Sequence, residues 1–155
     1  MFLIQESKWL APSVRRLVVE APRVAARHEP GHFVIVRVVE DGERIPLTIA
    51  DSDKESGTIT LVVQVVGATT ERLCALQTDQ HIQDVVGPLG KPTEIGKFGH
   101  VVLVGGGVGT AVIYPQAGGL KAQGNRVSAV IGGRGKAYVI MEEELRAICD
   151  AVPVS

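Results

Sequence analysis

The segment VVLVGGGVGTA, Val101 to Ala111, carries the sharpest chemical signal in the sequence. An apolar strand that enters a helix through closely spaced glycines lets backbone amides approach a pyrophosphate, and the helix start adds partial positive charge. Gly105, Gly106, Gly107 and Gly109 make that turn, and Thr110 offers a hydroxyl in the first helical turn. The same glycines equally suit tight strand-to-helix packing without any ligand. At the end of the next apolar run stand Gly132, Gly133, Arg134, Gly135 and Lys136. A dinucleotide site selective for an unphosphorylated ribose places a carboxylate there; none competes here, so Arg134 leans the reading toward a 2′-phosphate, NADP over NAD. An exposed turn with solvated charges would use the same residues.

Two segments of the first half add candidates. In Arg44-Ile45-Pro46-Leu47-Thr48-Ile49-Ala50 the two-residue period puts Arg44, Pro46 and Thr48 on one face and Ile45, Leu47 and Ile49 on the other. Proline removes a ladder donor, so this strand borders an edge or a ligand. Gly67-Ala68-Thr69-Thr70 repeats the glycine-then-helix logic, with threonines free to hold a phosphate or simply to cap the helix. His28, His32, His81 and His100 lack metal-ligand spacing and read as surface or strand-end residues, and no metal site is expected. Cys74 and Cys149 form no CxxC pair and read as reduced, packed thiols. Glu142 to Glu144 suit a helix start, where negative charge complements the dipole.

These residues need elements to hold them. Residues 1 to 96 read as short strands: 2–10, 13–21, 32–39, 43–50, 58–66 and 81–86, with a short helix or turn at 22–28 and a helix at 68–76. Asp41-Gly42, residues 51–57 and Gly87-Pro88-Leu89-Gly90 read as turns. That series predicts a small antiparallel β-barrel. From residue 97 the pattern changes to strand, glycine turn, helix, twice over: strands at 100–104 and 126–131, helices at 108–122 and 141–150. Continuous apolar strands imply a sheet covered on both faces, hence a partial Rossmann-like, doubly wound α/β domain over 97–155.

Composition narrows the function classes. With 16 Lys plus Arg against 17 Asp plus Glu, the net charge of −1 supplies no field for nucleic acid or an anionic membrane. No apolar run approaches the roughly 18 residues of a membrane span, and the start MFLIQESKWL lacks the features of a signal peptide, so the expected location is the cytoplasm. Neither a GxSxG segment nor a Cys and His pairing suggests covalent catalysis.

Taken together, PGHFVIVRV, ERIPLTIAD, VVGPLGKP and GGGVGTAVIYP, in that order, resemble the ferredoxin-NADP reductase-like flavoproteins. The resemblance is strongest to the α subunit of ferredoxin-NADP oxidoreductases (the sulfide dehydrogenase small subunit) and to the electron-transfer subunit of dihydroorotate dehydrogenase, and it runs across nearly the whole chain. It implies a flavin-dependent oxidoreductase that passes hydride between NAD(P)H and FAD, with electrons moving on to ferredoxin or other iron–sulfur partners. The alternative is a non-catalytic flavin- or nucleotide-binding docking module. By resemblance the barrel binds FAD along Arg44, Pro46, Leu47 and Thr48, with Thr48 beside the reactive flavin nitrogen. Gly67, Thr69 and Thr70 match the diphosphate position, Gly87 a turn of the motif, and Gly105 to Thr110 with Arg134 the NAD(P) site.

Three departures accompany it. Leu47 stands where an aromatic residue often covers the flavin, and Arg44 lies one position earlier than in the commoner RxYS arrangement. Thr110 and Val112 replace a more usual GVGIAPVYP pattern. The family continues to a cysteine-rich segment holding a [2Fe–2S] cluster, whereas this sequence stops at Ser155 as a third α/β strand, 151–154, would begin. The resemblance therefore implies a truncated form, a large flavoprotein or iron–sulfur subunit as partner, and an incomplete sheet that a second copy of the chain could cover as a homodimer.

Overall fold

The computed structural model describes all 155 residues. The β-branched first half forms β1 (Phe2–Ala11), β2 (Val14–Glu20), β3 (Phe33–Arg37), β4 (Arg44–Asp53), β5 (Thr58–Gln64), β6 (His81–Ile82) and β7 (Asp84–Leu89). Two short helices, α1 (Pro22–Arg27) and α2 (Ala68–Cys74), interrupt them. The strands make one antiparallel sheet in the order β6-β1-β2-β5-β4-β3-β7. Its two outermost strands are separated in sequence by Gln83 alone, so the sheet has to curl until its ends meet, closing a barrel through the chain rather than through a ladder. Inside lies a core that includes Ile4, Leu17, Val34, Ile49, Ile59 and Leu61, each fully buried.

Several expectations are corrected. The turn expected at 51–57 starts later: Asp51, Ser52 and Asp53 still pair with Thr60, Ile59 and Thr58. Gly87 to Leu89 lie in β7 rather than in a turn. A Cβ on Gly87 would sit 2.8 Å from Val34 Cγ1, so close passage of β7 over β3 requires glycine there. The strand expected at 81–86 breaks at Gln83 because its two parts pair with opposite ends of the sheet. His32 is buried rather than superficial, its Nδ1 accepting the Glu29 amide at 2.9 Å.

The second half forms β8 (His100–Gly106), α3 (Gly109–Ala122), β9 (Arg126–Gly132), a 3₁₀ turn at Lys136–Tyr138 and α4 (Glu142–Ile148). β8 and β9 are parallel, and Ala151 and Val154 bridge to Ser128 and Ile131 where a third strand would start. Helix α3 packs on one face, enclosing Ile113, Ala117, Leu120, Val127, Ala129 and Ile131. Sequence continuity predicted cover on both faces, but Val102 and Val104 are 55% and 73% exposed. An apolar run records that a strand has no polar face; it does not supply the layer that hides the second one.

One buried polar residue ties this lobe together. Asn125, 1% exposed, accepts the amides of Phe98 and Gly99 at 2.6 and 2.9 Å and donates to the carbonyls of Gly96 and Leu120 at 2.7 and 2.9 Å. It satisfies both the end of α3 and the stretch leading into β8. A smaller apolar cluster of Ala11, Val14, Ala50, Val62, Ala111 and Ile140 joins the barrel to the α/β lobe.

Candidate functional site

The candidate residues fall around two adjoining clefts. β4 pairs with β3 over Arg44 to Arg37 through Thr48 to Phe33, but its ladder with β5 begins only at Ile49. The Arg44–Thr48 half is therefore unpaired on its β5 side, which is why Pro46 fits: its missing N–H removes no bond there. The gap opens a cleft of about 420 Å³ whose walls include Ile45, Pro46, Leu47, Thr48, Val66 and Thr70, with Val108 and Val112 across it. Its lining is mostly apolar with threonine hydroxyls at intervals, suited to a planar aromatic ligand with a polar rim.

Its edges are held by polar contacts. Thr70 accepts the amides of Val66 and Gly67 at 2.9 and 3.0 Å and donates to the Gly67 carbonyl at 3.0 Å, so this threonine caps its own turn. Thr69 donates to Glu43 Oε2 at 2.8 Å. A Cβ on Gly67 would meet nothing within 4 Å, so no neighbour within the protein dictates glycine there. Arg44 is exposed, with its guanidinium 3.8 Å from Asp84, a carboxylate already bound by Arg37 at 2.8 Å. Gly87 lies apart, on β7 beside Val85, Val86, Phe2 and Val24.

The second cleft, about 610 Å³, is formed by Gly106, Gly107, Val108 and Gly109 at the β8–α3 turn, Gly133, Arg134 and Tyr138 after β9, and Val14 and Gln64 from the barrel. The glycines differ in their reasons. A Cβ on Gly105 would approach Thr110 Cα at 3.0 Å and the Gly109 carbonyl at 3.1 Å, so Gly105 serves strand-to-helix packing. Gly107 has φ +55°, a conformation that favours glycine. Gly106 and Gly109 face open space, leaving their backbone accessible to a ligand. Thr110 is wholly buried and its hydroxyl has no partner, an orphan polar group at the helix start. Arg134 stacks on Tyr138, its Cζ 4.8 Å from the ring centre. The two clefts share Gln64 and Val108 as a common wall.

Sequence reasoning passed over Glu43, Gln64, Val108 and Tyr138. Tyr138 follows Arg134 by four residues, a spacing that signals contact only once the intervening 3₁₀ turn is known. The thiols stay out of both clefts. Burial pushes Cys74 up to about 11 and raises Cys149, so neither is a thiolate near neutrality.

Residues 2–93 match the oxidoreductase FAD-binding domain family. The chain belongs to that family. Among its relatives, an electron transfer subunit homolog of dihydroorotate dehydrogenase B (NAD(+)) from Thermotoga maritima is 47% identical over 146 residues, 94% of this chain and 52% of the relative. The electron transfer subunit of dihydroorotate dehydrogenase B (NAD(+)) from Shouchella clausii is 37% identical, covering 85% and 53%. The solved structure of an NADH-dependent reduced ferredoxin-NADP oxidoreductase, described for flavin-based electron bifurcation, superposes with a TM-score of 0.95 at 45% identity, covering 99% of this chain and 56% of that one. Phthalate dioxygenase reductase shares the fold at a TM-score of 0.80 and 18% identity. The chain spans about half the length of the curated relatives it matches. No helix in it is long and apolar enough to cross a membrane.

Proposed function

We propose that this chain is the cofactor-binding part of an oxidoreductase electron-transfer subunit, passing hydride between NAD(P)H and FAD. The carrying observation is the common wall: a cleft suited to a flavin and a glycine-lined cleft suited to a dinucleotide meet at Gln64 and Val108. Holding the two reactants against one another is one of the main things a protein contributes to hydride transfer.

Ile45, Pro46, Leu47 and Thr48 would line one side of FAD, and the Thr48 hydroxyl would supply a polar contact, while Thr70 shapes the opposite wall by holding its own turn. When bound there, FAD supplies the ability to take up electrons as a pair and release them singly. The exposed backbone at Gly106 and Gly109 would receive the pyrophosphate of the dinucleotide, since no side chain obstructs the approach. Arg134, held by its stack on Tyr138, would face the ribose end. The names of the relatives favour NAD(+), while the unopposed guanidinium favours a 2′-phosphate. Electrons would pass on to an iron–sulfur partner, ferredoxin or a larger catalytic subunit. The relatives' names, electron transfer subunits, support the larger subunit and also a second reading in which that partner is a dihydroorotate dehydrogenase.

The visible spectrum of the purified chain tests the flavin. Yellow colour that stays with the protein through gel filtration, as purified or after FAD is added, and that bleaches when NADH or NADPH is added without oxygen, supports the reading. A colourless chain that takes up no FAD overturns it. Arg134→Ala should weaken NADP(H) more than NAD(H); equal loss on both would assign Arg134 no part in cofactor choice.

A further inference from the structure

The flavin cleft exists because β4 and β5 part company beyond Ile49, and something has to fix how far apart its walls stand. One wall is Ile45 to Thr48; the other includes Val66 and Thr70, at the start of α2. Between residues 43–48 and residues 66–70 there is a single hydrogen bond, from Thr69 Oγ1 to Glu43 Oε2 at 2.8 Å. Of the other polar groups, Thr70 is committed to its own turn and Arg44 lies toward Asp84, while Thr48 faces the cleft. Packing joins the two segments below the rim, where Leu73 of α2 lies in the barrel core and Ile45, Leu47 and Val65 pack against it. A hollow of about 170 Å³, lined by Val38, Val39, Gly42, Ala68 and Arg72 among others, lies beside the bond. Across that hollow there is no van der Waals restraint at the rim, and the hydrogen bond is the only polar link between the two segments there.

We propose that Glu43 is a positioning residue that sets the width of the flavin cleft through Thr69. The inference rests on the reading that FAD occupies this cleft. Glu43 immediately precedes Arg44 on the chain, so the brace also fixes where β4 enters the site. A carboxylate suits the task because its charge strengthens the threonine hydrogen bond.

Fluorescence titration of FAD into the 155-residue chain and its variants tests the brace. Glu43→Ala should weaken FAD binding about fivefold, the scale of one ordinary net hydrogen bond. Glu43→Gln, whose amide oxygen still accepts from Thr69, should restore affinity to within about twofold of wild type. Thr69→Val should reproduce the alanine effect, and Glu43→Ala with Thr69→Val together should be no weaker than either alone. Wild-type affinity in Glu43→Ala, or two losses that simply add, would overturn the brace. A wild-type chain that binds no FAD would overturn the cleft reading itself, and the proposal with it.

Discussion

The barrel and the α/β lobe use the same residue types and reach different degrees of closure. The barrel wraps seventeen buried apolar residues inside a sheet whose ends are joined through Gln83, while the α/β lobe buries eight under α3 and α4 and leaves Val102 and Val104 bare. Curling lets a sheet cover itself; a flat parallel pair depends on added layers. The barrel is a closed apolar enclosure, whereas the second lobe supplements a smaller one-sided core with polar ties such as Asn125.

The largest expected effect lies in the enclosed core. Leu61→Ala, at a fully buried β5 position, should cost about 3 kcal/mol in urea unfolding, whereas Val104→Ala should stay within about 0.5 kcal/mol. Similar losses for the two would erase the contrast between the lobes.

Next comes the polar tie. Asn125→Ala leaves the Phe98 and Gly99 amides and the Gly96 carbonyl without their partner, and should cost about 2 kcal/mol by the same measurement. A negligible cost would show that water replaces the side chain and that the α/β lobe is held by packing alone.

Within the glycine turn, packing and binding fall on different residues. Gly105→Ala should lower the melting temperature because its new methyl meets α3 backbone, while Gly106→Ala should leave melting unchanged and weaken dinucleotide binding, read by isothermal titration. Equal melting temperatures for the two variants would contradict the geometry.

The smallest effect is one of pH, and it belongs to the barrel. Burial, aided by His32 and Lys54, pushes His28 down to about 4, while its Nδ1 lies 2.6 Å from Ser52 Oγ. The unfolded chain then binds more protons than the folded one between about 4 and the ordinary 6.5, so this contribution is full above 6.5 and declines as pH falls through that window. Asp51, raised by burial, acts in the opposite direction at lower pH, so the comparison should be made against His28→Asn. The wild type should lose slightly more stability than the variant between pH 7.5 and 5; parallel curves would place His28 in contact with water.

Much of this was legible in the sequence. Apolar runs that end in glycine announced β8, α3 and β9, and the two-residue period of Arg44 to Ala50 with its proline announced a strand unpaired on one side. What stayed hidden depends on residues far apart in the chain. Asn125 reads as part of the short break between a helix and a strand until the 96–99 stretch is brought beside it. Glu43 reads as the first residue of a strand until α2 arrives, and His32 as a strand end until the preceding turn folds over it. The placement of Gly87 in a strand was invisible because its reason is the passage of β3 beneath it.

The order of the barrel strands also has a temporal side. β1 pairs with β6 through Phe2 to Ile82 and Leu3 to His81, partners from opposite ends of the barrel sequence. At ribosomal rates of roughly 5 to 20 residues per second, that side of the first strand waits about 4 to 16 seconds for its neighbour to be made. During synthesis, the enclosure that is most finished in the mature protein is the one that stands open longest.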